Sequence, residues 1–346
     1  MNTDLVTAIL HFLKEHPWSS SKEIFDANSS PGSYSTVKRL ITQLLHENLL
    51  VRKGAGKASI YACSPQYQLL YPIDINHYFE KEIDERVIQR TFNFELLSGV
   101  LPNATIFSNS ETKQLDALQA EFRTKVIELS AKEYEKAMEH LAIDLSWKSS
   151  QIEGNTYSLL ETERLLKDKI TATGKTKDDA VMLLNHKEAI DFIVAERNYL
   201  TPLSLSKIED IHSILIQELG VERNIRIRKV GISGTNYSPL DNEFQIKEAV
   251  TQMCDVINTK ANIFEKALLG LVLLSYIQPF VDGNKRTARI ISNAILFENG
   301  HCPLSFRTVD AIDYKKAMLI FYEQNNLQPM KEIFIDQYAF AVRTYF

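Results

Sequence analysis

Between Ala267 and Ile277 the chain carries no charged residue, and Gln278-Pro279 closes the run abruptly. A stretch of that length makes a helix buried on all sides and falls short of the roughly 20 residues that a bilayer span needs. Pro279 ends the helix, since the residue ahead of a proline is pushed out of the right-handed α region. The turn that follows offers one carboxylate (Asp282), a Gly283-Asn284 corner and three cations, Lys285, Arg286 and Arg289. Thr287 to Phe297 returns to an apolar helical pattern, with Gly300 as its stop. A carboxylate, a Gly/Asn turn and cations at a helix start form an anion site suited to a metal-bound polyphosphate.

The stretch from Gln278 to Arg289 resembles the signature of the Fic family, His-Pro-Phe-x-Asp/Glu-Gly-Asn-Gly/Lys-Arg-x-x-Arg. Pro279, Phe280, Asp282, Gly283, Asn284, Lys285, Arg286 and Arg289 match, while Gln278 stands where the family has its catalytic histidine. The resemblance covers roughly residues 65–346. It implies a mainly α fold, a Fic-type helical bundle with a β-hairpin flap, preceded here by an α+β winged helix-turn-helix module. It also implies transfer of AMP from ATP to a hydroxyl of a target protein, with pyrophosphate leaving. In that reading Asp282 holds Mg²⁺. The helix start from Gly283 through Asn284, Lys285, Thr287 and Ala288 cradles the phosphates, and Arg286 and Arg289 offset their charge. Gln278 cannot act as the base, because a carboxamide has no basic site near neutral pH, although it can orient a hydroxyl. Losing a general base costs on the order of 10²–10⁴ in rate. Two readings stay open, a weakened adenylyltransferase and a catalytically degenerate nucleotide-binding regulator coupled to the N-terminal module. Transfer of UMP or phosphocholine is a lesser third.

Ser149-Ser150-Gln151-Ile152-Glu153-Gly154 resembles the inhibitory motif of Fic proteins, with Ser149, Glu153 and Gly154 at the matching places and Thr156 to Glu163 continuing as in many members. The resemblance implies that Glu153 pairs with Arg289, where a bidentate carboxylate contact would compete with a terminal phosphate. Asn224 to Leu240 is β-prone with glycine turns and resembles the family's flap, a hairpin that clamps a target segment by strand addition. Residues 228–240 are then the target-docking segment, and Ser233, Gly234, Thr235 and Asn236 lie nearest the nucleotide. Tyr314-Lys315-Lys316-Ala317 resembles the segment whose tyrosine lies against adenine, though an aromatic at helical spacing is more often core. His186 and His212 read as packed or capping histidines on helices.

The first 64 residues form a separate module in this reading. Asp4 to Leu13 is amphipathic, Ser19-Ser20-Ser21 caps a short helix, Pro31-Gly32-Ser33 marks a turn, and Tyr34 to Asn48 carries a helical apolar stripe. Strand, glycine turn and strand follow up to Ala62, an order that resembles a winged helix. Lys38 and Arg39 then lie on the recognition helix, and Arg52, Lys53 and Lys57 on the wing. Seven Lys/Arg face five Asp/Glu in this span, a small excess that leaves DNA binding and protein docking or dimerisation both open. Residues 65–145 read as a helical connector, with one helix from Phe122 to His140, and 146–346 as the Fic domain. The overall composition of 346 residues, 45% hydrophobic with net charge −5, is that of an ordinary globular chain and argues against one devoted to nucleic acid. Met1 to Leu13 lacks the basic start of a signal peptide, and the widely spaced Cys63, Cys254 and Cys302 form no disulfide or metal pattern. A cytoplasmic protein off the membrane is therefore expected, capable of self-modification or homodimer formation.

Overall fold

The structure is a computed structural model describing residues 3–27 and 33–346, so Pro31 and Gly32 of the expected turn lie outside the described residues. Contacts divide the chain into Met1–Pro72 and Ile73–Phe346.

In the first unit the order is α1 (Thr3–Glu15), β1 (Ser19–Ser20), α2 (Ser21–Ala27), α3 (Tyr34–His46), β2 (Leu50–Lys53), β3 (Ile60–Cys63) and α4 (Pro65–Leu70). The strands form one antiparallel sheet, order β1-β3-β2, with Arg52 opposite Tyr61 and Ser20 opposite Ile60. Ser33 caps α3, its Oγ accepting from the Thr36 amide at 3.3 Å. The apolar stripe Val37, Leu40, Ile41 and Leu44 packs with Leu5, Ile9 and Leu13 of α1 and Ile24 of α2. Ser19 and Ser20, expected only to precede a helix, instead pair as a short strand with β3. The unit runs past residue 64: Tyr67 of α4 packs against this core, and the Lys14 ammonium lies 3.6 Å from the centre of the Tyr71 ring.

The second unit is mainly α. Its helices are α5 (Ile75–Glu80), α6 (Asn109–Glu128), α7 (Ala131–Ile152), α8 (Leu159–Asp168), α9 (Lys177–Ala195) and α10 (Leu205–Leu215). Then follow α11 (Glu243–Thr259), α12 (Ile263–Ile277), α13 (Asn284–Glu298), α14 (Ala311–Gln324) and α15 (Gln328–Tyr345). The charge-free run lies in α12, buried from Ala267 through Ile277, and α11, α13, α14 and α15 all pack against it. Burying every face of one helix in this way fixes the layer around it.

Two expectations fail here for local reasons. The single helix from Phe122 to His140 is broken, because Ser130 and Glu133 form a capping box. Ser130 Oγ accepts from the Glu133 amide and the Ser130 amide donates back to the carboxylate at 2.9 Å. The β-hairpin flap is absent as well, since residues 224–240 contain no strand. Their backbone groups bond elsewhere: the Arg226 amide donates to Pro279 O (3.0 Å) and the Ser238 amide to Arg90 O (2.9 Å). These two amides are spent on the bundle, and no ladder forms across the loop. Among the described residues no helix is long and apolar enough to cross a membrane, and all three cysteines are free and buried.

Candidate functional site

Gln278 ends α12 in the left-handed region, φ 52° and ψ 59°, which costs a residue with a Cβ about 1 kcal/mol or more. Four hydrogen bonds hold it there. Its amide donates to Leu274 O (3.1 Å) and its Nε2 to Ser275 O (2.7 Å). Its Oε1 accepts from Asn284 Nδ2 (3.0 Å), and its carbonyl accepts from Arg226 Nε (2.7 Å). Both ends of the carboxamide are thus engaged within the protein. Asn284 closes the turn in the same fashion, accepting from the Phe280 amide and donating to the Phe280 carbonyl, each at 2.8 Å.

Gly283 begins α13 at φ 81°, and a Cβ there would meet the His212 ring and Ile216 at 3.3 Å. His212 supports the turn from behind. Its ring stacks on Phe280 at 3.6 Å, with Nε2 2.9 Å from Asp282 O and Nδ1 3.1 Å from Arg223 O. Burial lowers its pKa, while the two carbonyls act in the opposite direction and favour the charged ring. The first amides of α13 have no acceptor within their own helix and face the cavity mouth with the positive end of the dipole.

Arg289, fully buried, donates Nε to Ser149 Oγ (2.7 Å) and Nη2 to Ser149 O (2.9 Å) and to Glu153 Oε1 (2.9 Å). The second oxygen of Glu153 lies 3.3 Å from Lys285 Nζ. Glu153 is the C-cap of α7, the wrong end of a helix for a carboxylate. Burial would push its pKa up, but the charges of Arg289 and Lys285 outweigh burial and hold the carboxyl below its ordinary value. Arg286 reaches Asp282 Oδ2 (3.2 Å) and Leu215 O (3.2 Å), while the Asp282 side chain is 65% exposed.

These groups border a cavity of about 390 Å³ lined by Glu153, Val230 to Ser233, Gln278, Asp282 to Arg286, and Tyr314, Met318, Leu319 and Tyr322 of α14. Tyr314 and Tyr322 are buried with hydroxyls that lack a partner among the described residues, as does Arg289 Nη1. Burial raises both phenol pKa values, Tyr322 well above the ordinary range, so both are neutral donors. Two phenol hydroxyls on the wall of one space, Tyr314 and Tyr322, suit an oxygen-rich guest.

Of the residues named from the sequence, Gln278, Asp282, Gly283, Asn284, Lys285, Arg286, Glu153, Ser233 and Tyr314 border this space. Arg289 and Ser149 lie directly behind Glu153, and Gly154 follows it at φ 102°. Thr287 and Ala288 are on the buried side of α13, with Thr287 Oγ1 donating to Gly283 O (3.0 Å). Gly234 and Asn236 are drawn toward the 73–95 segment instead: Gly234 O accepts from Arg86 Nη2 (2.8 Å) and Asn236 Nδ2 donates to Asp84 (2.9 Å). Thr235 accepts locally from the Tyr237 amide. Arg86 is fixed in turn by a buried ion pair with Glu323 at 3.2 Å. Sequence reasoning missed Met318 and Tyr322, although they fall four and eight positions after Tyr314 on one helix face. His186 is fully buried, neither ring nitrogen has a partner among the described residues, and burial followed by Arg289 and Arg286 drives its pKa far down.

In the first unit Lys38 and Arg39 are exposed on α3, Arg52 and Lys53 end β2, and Lys57 sits in the Gly56–Ala58 turn. Lys38 Nζ lies 4.6 Å from the Tyr34 ring and Lys53 Nζ 3.7 Å from the Trp18 ring.

The span that carries α10, the 224–240 loop, α12 and the signature turn is a Fic domain: residues 202–296 match the Fic/DOC family. Glu153 lies outside that span. Protein adenylyltransferase fic-1 of Caenorhabditis elegans is 29% identical over 213 residues, covering 56% of this chain and 40% of its own length. Protein adenylyltransferase Fic of Nematostella vectensis is 30% identical over 180 residues, covering 49% of this chain and 40% of its own. The chain thus spans about 40% of the length of these curated relatives. The structure of C. elegans Fic-1 residues 134–508 superposes with a TM-score of 0.60 at 20% identity, over 68% of this chain and 72% of that one, a likeness of fold.

Proposed function

We propose that this protein is an adenylyltransferase that moves AMP from ATP to a hydroxyl of a protein, restrained by Glu153 and slowed by Gln278. The observation that carries the reading is the Glu153 carboxylate bridging Arg289 and Lys285 at the start of α13. An acid placed against a helix dipole and spanning two cations occupies the position a terminal phosphate would take. In the reaction the hydroxyl oxygen bonds to the α-phosphorus, the bond to the bridging oxygen breaks, and pyrophosphate leaves with that electron pair. The α13 amides and Arg286 would hold the phosphates, and Tyr314 and Tyr322 would donate to the nucleotide from below. The proton of the hydroxyl must go to solvent or phosphate, because Gln278 cannot take it.

Asp282 is the carboxylate of the turn, and no group of three His, Cys, Asp or Glu gathers among the described residues. A single exposed carboxylate beside a phosphate cradle suits Mg²⁺, which takes its remaining ligands from phosphates and water and offsets their charge. The second reading, a nucleotide-binding regulator, is favoured by one fact: both ends of the Gln278 amide are committed to Ser275 and Asn284. Incubation with α-labelled ATP, Mg²⁺ and a cell lysate tests the two. Label on protein supports transfer; binding of ATP without label supports the regulator. In the transferase reading the loop 228–240 is the proposed docking segment for a target, with self-modification of this chain as one proposed outcome. For residues 1–64 we propose a winged helix that binds DNA weakly, with protein docking or homodimer formation as the alternative.

A further inference from the structure

Arg226 is 0% exposed, and among the described residues no carboxylate forms an ion pair with it. Its guanidinium spends its donors on backbone carbonyls alone: Nε on Gln278 O (2.7 Å), Nη1 on Arg228 O (3.0 Å) and Nη2 on Leu240 O (2.5 Å). Its own amide donates to Pro279 O at 3.0 Å. The four acceptors come from two places. Gln278 and Pro279 are the first residues after α12, while Arg228 and Leu240 are the two feet of the loop that walls the cavity with Val230 to Ser233.

A buried cation with no carboxylate in direct contact is costly even with the Asp241 charge nearby, and an apolar side chain would fill the same volume at less expense. What the apolar residue lacks is a rigid fork that can bind several acceptors at fixed angles. A lysine lacks it too, since its ammonium is a single point on a flexible stem. The loop has no ladder of its own, so something outside its backbone must set its position. The nearby Tyr237 hydroxyl donates to Tyr276 O at 3.1 Å and helps to anchor the loop's far end on α12, but it does not reach the turn.

We infer that Arg226 is a positioning residue that locks the loop 228–240 in register with Gln278 and the phosphate-binding turn. The consequence for a nucleotide rests on the proposed function; the coupling of loop to turn does not. Arg226 thus acts through the backbone, at a place where a hairpin would otherwise have used strand pairing.

Hydrogen–deuterium exchange on the full chain, as wild type, Arg226→Gln and Arg226→Lys, tests this, with calorimetric titration of Mg-ATP alongside. For Arg226→Gln the amides of 228–240 should exchange at least about tenfold faster, while α11 and the middle of α12 keep their protection. Arg226→Lys should fall between wild type and Arg226→Gln, and it serves alone if the glutamine variant does not fold. Where ATP binds, its Kd should rise in the same order. Unchanged loop exchange overturns the inference, as does loss of protection spread evenly over the unit, which marks Arg226 as core packing only. Failure of wild type to bind ATP would sink the proposed function while the exchange data still decide the role of Arg226.

Discussion

The signature turn and the 224–240 loop are neighbours on one cavity, yet they are built in opposite ways. The turn closes on itself: Asn284 ties both the amide and the carbonyl of Phe280, and Gly283 lets the chain pass under His212. The loop has no internal ladder; its own Arg226 ties its feet to the end of α12, and Arg86 and Asp84 hold its tip from outside. A self-closed turn can present a fixed row of amides to phosphate. A loop held by side chains from elsewhere can be released without unfolding the site, a property suited to admitting a protein substrate.

The largest effect should come from the turn's one departure. Gln278→His, combined with Glu153→Gly, is expected to raise transfer of AMP to protein by about 10²–10⁴, the usual worth of a positioned general base. The imidazole would have to leave the Ser275 and Asn284 contacts that hold the carboxamide. If native protein labels targets as fast as the double variant, another group is the base and the turn is complete as it stands.

Next in size is the clamp between α7 and the turn. Glu153→Gln removes the counter-charge of buried Arg289, leaving it Ser149, the Tyr314 ring and a neutral acceptor, and should cost about 3 kcal/mol, toward the low end for a broken buried pair because Glu153 is 20% exposed. The folded carboxyl titrates below its ordinary 4.5, so the stabilisation is fully present above about pH 4.5 and fades as pH falls through the lower folded value. Urea unfolding of both proteins from pH 7 to pH 3 should show the gap closing on the acid side. A gap that is constant across that range would contradict the pairing as the source of the stability.

Legibility followed the same divide. The α12 run and the glycine corner depend on residue types at fixed spacing, and these can be read along a chain, whereas the Glu153–Arg289 pair was legible only through the resemblance of 149–154 to the Fic inhibitory motif. The loop could not be read, because its conformation depends on which distant carbonyls Arg226 and Arg86 reach; the alternating pairs Ile225/Ile227 and Val230/Ile232 looked like strand for want of that information. Tyr322 was overlooked although the helical period from Tyr314 pointed to it. The break at Ser130 was legible in principle, since Ser130 and Glu133 have capping-box spacing. The Ser19–Ser20 strand was not, as two residues carry no period.

The smallest effect concerns the first unit, where Lys38 and Lys53 lie over aromatic rings and Arg52 and Lys57 carry no such restraint. If the full chain binds duplex DNA, Arg52→Ala or Lys57→Ala should each reduce the slope of log K against log salt by roughly 0.9 and weaken all sequences alike. Absence of retention even at low salt would assign this unit to protein docking.

Titrating Mg-ATP calorimetrically into wild type and Glu153→Gly addresses the central claim, that the α13 anion site is intact and occupied by a carboxylate of the same chain. The account predicts that removing the carboxylate tightens binding by at least about tenfold, or 1.4 kcal/mol, since Arg289 and Lys285 become free to meet phosphate. Equal affinity in the two proteins would contradict it, because Glu153 would then be a structural acid and not a stand-in for the nucleotide.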